Sequence, residues 1–258
     1  MAGNNDRQAL LLRFCTAIRF LTLVPISWRA EEDQHHFRRS LAFFPAVGGL
    51  IGACGALLAA LLLAWFPQPV AAALILIYLA FISGCLHLDG LSDSADGLLS
   101  SRPREAALAI MKDSRAGAMG VVTVVCLFFG KYAALSAMSP ETFCLAVFFM
   151  PFAGRCAILL SMSRLRYARE EGGLGALFYS NDSKNAAFLA LLVLFIALVV
   201  MAPGRVAIAA VAGFLAVNLL FNRWCRTRLG GATGDTLGAV CELTEMVVAI
   251  AFSLILPS

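Results

Sequence analysis

Charge is scarce in this chain. Of its 258 residues only 14% are charged, 60% are hydrophobic, and the mean hydropathy is +0.84. A soluble domain usually carries about 25% charged residues, so there is too little charge here to clothe a soluble globule of this length. Disorder is excluded by the same numbers, because it needs low hydrophobicity and high net charge. The net charge of +4 comes without a basic stripe, since the cations are scattered between apolar runs, and nucleic acid is not expected as a partner. No two of the eight cysteines have CxxC spacing, and Cys54, Cys126, Cys144 and Cys156 lie inside apolar runs as small hydrophobes. The N-terminus lacks a clean apolar core for a secretory signal, because Arg13 and Arg19 interrupt it.

What is present is long apolar runs. From Ser40 to Leu88 there is no charged residue, and Pro67-Gln68-Pro69 divides that stretch. At about 20 apolar residues per crossing, the chain divides into seven expected spans: 41–66, 70–86, 120–138, 142–162, 186–202, 206–222 and 236–256. Residues 8–24 read as an amphipathic helix, with Leu11, Phe14, Ile18 and Leu21 on one face and Pro25 at its end. The expected fold is therefore all-α: a polytopic integral membrane bundle of about seven transmembrane helices plus an N-terminal amphipathic helix. Residues 1–258 are expected to form one membrane-embedded domain, in contact with the lipid bilayer. The segments 1–40, 87–119, 163–185 and 223–235 hold 17 of the 20 Lys and Arg residues. Seven crossings put all four on one side, which the positive-inside rule makes the cytoplasm. This predicts a multi-pass protein of the cell inner membrane.

The informative polar motifs share that side. HLDGLSDSADG at 87–97 sets Asp89, Asp93 and Asp96 at i, i+4 and i+7, on one face of a helix. Three like charges so placed repel unless a cation sits among them. Oxygen ligands without His or Cys suit Mg²⁺, Mn²⁺ or Ca²⁺, and Mg²⁺ commonly pairs a few carboxylates with the oxygens of a substrate phosphate. Gly90 and Gly97 would let a phosphate, or another backbone, approach closely. The plainer alternative is a helix end whose acids face water.

MKDSRAGAMG at 111–120 adds Asp113, available as a ligand or as a base. Lys112 and Arg115 supply charge for a phosphate, and Gly117 leaves backbone exposed. GGATGDTLGAVCELTE at 230–245 opens with glycines and offers Asp235 as a helix N-cap. Glu242 and Glu245 fall inside the last span, where acids normally face a polar cavity or a partner. These acids are expected to complete the metal shell of Asp89, Asp93 and Asp96 or to hold an attacking hydroxyl, with the last helix packed beside the acidic one. Arg155, inside span four, is expected to pair with one of the buried acids. His87 is a candidate general acid or base, with a structural role as the alternative.

The three motifs, in this order and spacing, resemble those of cobalamin synthase, the adenosylcobinamide-GDP ribazoletransferase family of bacteria and archaea. AIRFLTLVPIS at 17–27, LAFFPAVGGLIGA at 41–53 and YAREEGGLGALF at 167–178 extend the resemblance. It implies a Mg²⁺-dependent membrane enzyme that joins adenosylcobinamide-GDP to α-ribazole or its 5′-phosphate and releases GMP, so that its partners are a corrinoid nucleotide and a ribazole. A homo-oligomer stays open. Two other readings compete. Asp93-x-x-Asp96-Gly97 looks like the start of a CDP-alcohol phosphotransferase signature, but Ser100 and Ser101 stand where Ala-Arg is expected, and the later aspartate pair is missing. A cation transporter would spread its acids across the membrane depth, whereas here, Glu141 aside, they gather on one side.

Overall fold

The computed structural model describes residues 2–26, 38–169 and 183–254. Most of the 167–178 motif and the C-terminus at Ser258 lie outside the described residues. The described chain is helical throughout, apart from one isolated bridge between Tyr167 and Ala232. The helices are α1 (Ala2–Leu21), α2 (Phe44–Trp65), α3 (Gln68–Ile82), α4 (Leu86–Leu98), α5 (Arg104–Ile110), α6 (Ala118–Ser136), α7 (Pro140–Arg164), α8 (Ser183–Met201), α9 (Gly204–Leu229) and α10 (Gly234–Phe252). A single 3₁₀ turn, Leu41–Phe43, precedes α2.

Among the described residues, five helices are long and apolar enough to cross a membrane: α2, α6, α7, α8 and α9. The count differs from the expected seven in two places. The run expected to span 70–86 ends as a helix at Ile82 after 15 residues. Gly84 and Cys85 both take φ of +58°, and α4 leaves at 87° to α3, so only as a broken pair do they make a sixth span. We read α4 as lying outside the spans. Leu23 fixes this break, since its N–H donates to the Ile82 carbonyl at 2.8 Å and its side chain covers Gly84. The last run is helical as expected, but Asp235, Glu242 and Glu245 take α10 out of the purely apolar class.

Most of α7 is enclosed by protein. It meets α2 along Gly48 and Gly52, four apart on one face. A Cβ on Gly48 would sit 2.5 Å from the Pro151 carbonyl oxygen, and one on Gly52 would strike that of Phe148. Bare glycines let the two backbones touch, which is how helices associate where lipid is as apolar as their own side chains. Around the outside, Leu57, Trp65, Phe129, Phe188, Val200 and Ile208 are each more than two-thirds exposed, the surface a bilayer would cover. Helix α1 docks on this bundle through the predicted face: Leu21 is fully buried, Phe14 and Ile18 pack on the core, and only Leu11 stays exposed.

The two ends of the bundle differ. At one, Gln68 donates to the carbonyls of Leu135 and Met138, both at 2.7 Å, tying two short turns together. At the other, Arg104 donates to the carbonyls of Leu229 and Ala168, both at 2.8 Å, and Arg166 to that of Gly230 at 3.0 Å. Segments 99–104, 165–169 and 229–234 therefore converge, and the acidic helix α4 lies with them.

Candidate active site

Helices α4 and α10 pack backbone to backbone, as the placement of their acids led us to expect. A Cβ on Gly90 would fall 2.7 Å from the Asp235 carbonyl oxygen, and one on Gly238 would fall 3.1 Å from the Cα of His87. This close approach brings Asp235 beside Asp89, and both line a cavity of about 180 Å³ with His87. The remaining wall is apolar, including Phe20, Phe44, Ile158 and Met162. Gly90 thus admits the backbone of α10 rather than a phosphate. Gly97, also expected at a phosphate, is buried against Met111 and Ala107.

The start of α10 is set by Thr233, not by Asp235. Thr233 Oγ1 accepts from the Thr236 N–H at 3.2 Å, while Thr236 Oγ1 accepts from the Thr233 N–H at 2.8 Å, a reciprocal capping box. Asp235, in the first turn, is left to accept from Arg169 Nη2 at 2.7 Å and from Thr233 Oγ1 at 3.3 Å. Arg169 belongs in turn to a basic groove of about 500 Å³ that also holds Arg104 and Lys112. The cavity and the groove meet at the Asp235–Arg169 pair.

Of the three acids on α4, Asp96 has a defined task. Its oxygens accept the N–H of Gly117 at 2.7 Å and of Gly120 at 2.9 Å, capping α6 from another helix. The Gly117 N–H, expected to face a phosphate, is given to this carboxylate instead. Asp93 is partly buried, and burial first, then the charges of Asp89, Asp235 and Asp96, push its carboxyl up to about 6. Among the described residues no three of Asp, Glu, His and Cys close into a ready-made metal cluster. The donor set is still oxygen only, and Asp93 feels three neighbouring carboxylates with Arg169 the cation that opposes them. Mg²⁺ uses one or two carboxylates and fills its shell with water and substrate phosphate, so these residues fit it.

Asp113 and Arg115 turn to one another. Arg115 Nη2 donates to Asp113 Oδ2 at 2.7 Å, and its bonds hold that carboxyl down at about 2. The Arg115 side chain is 87% exposed and does not line the groove. The cations that line the groove are Lys112, singled out from the sequence, with Arg104 and Arg169, which were not. Loop arginines are common, and nothing in their spacing says which loops meet.

Glu242 and Glu245 depart from expectation. Lys131 Nζ donates to Glu242 at 2.6 Å and to Glu245 at 2.7 Å, and Arg155 Nη1 donates to Glu245 at 2.6 Å. All four side chains are at least 92% buried. The cluster has two charges of each sign, so the glutamates are balanced by cations of the protein rather than turned toward Asp89, Asp93 and Asp96. The pairing expected for Arg155 is present. That of Lys131 was missed, although the sequence puts two cations and two acids into its spans. Arg155 Nη2 also donates to His87 Nδ1 at 3.4 Å. A guanidinium has no acceptor, so Nδ1 accepts and the ring proton lies on Nε2. His87 is 3% exposed.

Comparison with known proteins now has a geometry to attach to. Residues 13–253 match the family described as cobalamin-5-phosphate synthase. An adenosylcobinamide-GDP ribazoletransferase of Clostridium acetobutylicum is 35% identical, over 92% of this chain and 94% of its own. Proteins of the same name from Citrobacter koseri and Escherichia coli are 37% and 36% identical, over 88% and 92% of this chain and 93% and 98% of theirs. No solved structure gives a significant match. A match running through every motif from α1 to α10, at this identity and coverage, leads to one conclusion: the chain belongs to the cobalamin-5-phosphate synthase family.

Proposed function

We propose that this protein joins adenosylcobinamide-GDP to α-ribazole, or to its 5′-phosphate, with GMP as the leaving group. The observation that carries this reading is the meeting of an acid-lined cavity with a basic groove at Asp235 and Arg169. A ribazole hydroxyl attacks the phosphorus next to the corrinoid. The new P–O bond forms as the bond to the GMP phosphate breaks, and the hydroxyl proton passes to a base.

Each part of the site has a task in this scheme. The groove cations Arg104, Lys112 and Arg169 grip the diphosphate, whose charge would otherwise repel the acids of α4. Asp235, at the junction, holds the attacking hydroxyl and accepts its proton. Asp113 is a poor candidate for that role, because its pair with Arg115 holds an exposed carboxyl down, whereas burial pushes that of Asp235 up despite its pair with Arg169. His87 borders the cavity with its protonated Nε2 and is held in orientation through Nδ1. Asp89 and Asp93 are the residues that would hold Mg²⁺, with Asp96 behind them keeping the 111–120 segment in place. The ion, when bound, neutralises charge on the phosphates and aligns the reacting oxygens. The apolar wall of the cavity suits the aromatic base of the ribazole.

The same reading places the site at the cytoplasmic face of the inner membrane, because the basic segments converge at that end. A cation path is disfavoured, since the two deepest acids are already neutralised by Lys131 and Arg155. The test is to incubate the purified protein with adenosylcobinamide-GDP, α-ribazole and Mg²⁺. GMP and the joined corrinoid should appear together by mass. GMP without the joined product would mean hydrolysis and overturn the assignment.

A further inference from the structure

A second polar cavity, of about 370 Å³, lies between α7 and α9, and none of its lining residues belongs to the site above. Arg164, Arg223 and Arg226 form its charged end, and no acid pairs with them among the described residues. Arg226 Nη2 donates to the Arg164 carbonyl at 3.1 Å, which ties the Arg226 side chain to the backbone of α7. One to two turns deeper on the same face of α9 lie Asn222 and Asn218, 7% and 2% exposed. Leu215 and Leu219, both exposed, complete the rim on the side a bilayer would cover.

Asn218 is held within the protein. Its Nδ2 donates to the Phe214 carbonyl at 2.9 Å and to Thr244 Oγ1 at 3.4 Å. The Phe214 carbonyl can only accept, which fixes which side of the amide is nitrogen. Oδ1 is then buried without a hydrogen-bond partner among the described residues. That oxygen has essentially no accessible surface, so it faces protein and the arginines and leucines decide the occupant. The fitting occupant has an anionic group for the arginines and an apolar tail to run along the leucines.

We propose that this cavity binds one anionic glycerophospholipid. The phosphodiester lies on Arg164, Arg223 and Arg226, and an acyl chain follows Leu215 and Leu219. Cations clustered at the end of a membrane helix are where anionic headgroups collect. A zwitterionic lipid would set its own cation against three arginines. The Asn218–Thr244 bond joins this cavity to α10, the helix of Asp235.

Native mass spectrometry of the full-length protein, released from micelles containing phosphatidylglycerol, phosphatidylcholine or neither, tests this. One phosphatidylglycerol should stay bound and phosphatidylcholine should not. Arg223→Gln and Arg226→Gln should each weaken retention about fivefold, the effect of one cation near an anionic surface. Both arginines are exposed, so these variants should keep their fold, which gel filtration checks. Equal retention of phosphatidylcholine, or undiminished retention in both arginine variants, overturns the proposal. So does displacement of the lipid by millimolar inorganic phosphate, which would mark a site for soluble anions.

Discussion

Replacing Lys131 by Met removes one charge from a cluster that is otherwise neutral. The ammonium is bonded at 2.6 Å to Glu242 and 2.7 Å to Glu245, and its side chain is 4% exposed. Without it, two carboxylates share a single guanidinium, and Glu242 loses its direct cationic partner. Removing one partner of a buried ion pair typically costs about 3–5 kcal/mol, because a charge is left uncompensated away from water. For a chain of this length that corresponds to a fall in melting temperature on the order of 10 °C. Thermal unfolding of purified Lys131→Met in detergent measures it. The double variant Lys131→Met/Glu242→Gln restores neutrality and should regain more than half of the loss. If the glutamates instead served a metal, releasing them from Lys131 would let Mg²⁺ stabilise the single variant, and our expectation is that it does not. An unchanged melting temperature, or a double variant no better than the sum of its singles, would refute this account of the cluster.

Four further outcomes follow from the site and its orientation. Asp93→Asn keeps the shape of a cation ligand and removes its charge, so turnover should fall at least about a hundredfold, the scale of losing a key electrostatic contact, with insertion intact. EDTA should abolish wild-type activity and Mg²⁺ restore it; turnover insensitive to EDTA would remove the metal from the scheme. Gly90→Ala puts a methyl 2.7 Å from the Asp235 carbonyl and 3.1 Å from its Cα, so α4 and α10 must part. Its turnover should drop at least about tenfold, since a displacement near 1 Å commonly costs more, and a normal rate would show that the spacing of Asp89 and Asp235 is unimportant. A periplasmic reporter inserted at Gly204 should be active and one at Ser114 silent, whereas the reverse pattern would invert the site across the membrane.

The helices were legible in the sequence because lipid imposes a simple rule on long apolar runs, and most boundaries fall within a few residues of those runs. The bend after Ile82 was missed, because the run stays uncharged through Leu86 with only Ser83-Gly84, and no proline, to mark a stop. Its cause is local, two left-handed residues held by Leu23 from a distant segment. The acids of α4 and their nearness to Asp235 were visible as spacing plus a shared side of the membrane. Which partner each acid takes was not. Asp96 finds two N–H groups more than twenty residues away, and Arg104 reaches carbonyls 64 and 125 residues away. Such pairings depend on which loop folds over which, and one-dimensional periodicity carries no record of that.

The neutral cluster has a consequence for the order of assembly. Ribosomes deliver Lys131 and Arg155 to the membrane about a hundred residues before the glutamates that balance them, at the usual N-to-C direction of synthesis. Until α10 arrives, α6 and α7 each hold an unbalanced cation that lipid penalises. Completion of the bundle is therefore gated by its last helix, which also carries Asp235 into the site. Release of a finished fold and delivery of a reactive carboxylate become a single event, and a nascent chain halted before residue 234 should be degraded rather than accumulate, which pulse-chase labelling of the truncated chain would show.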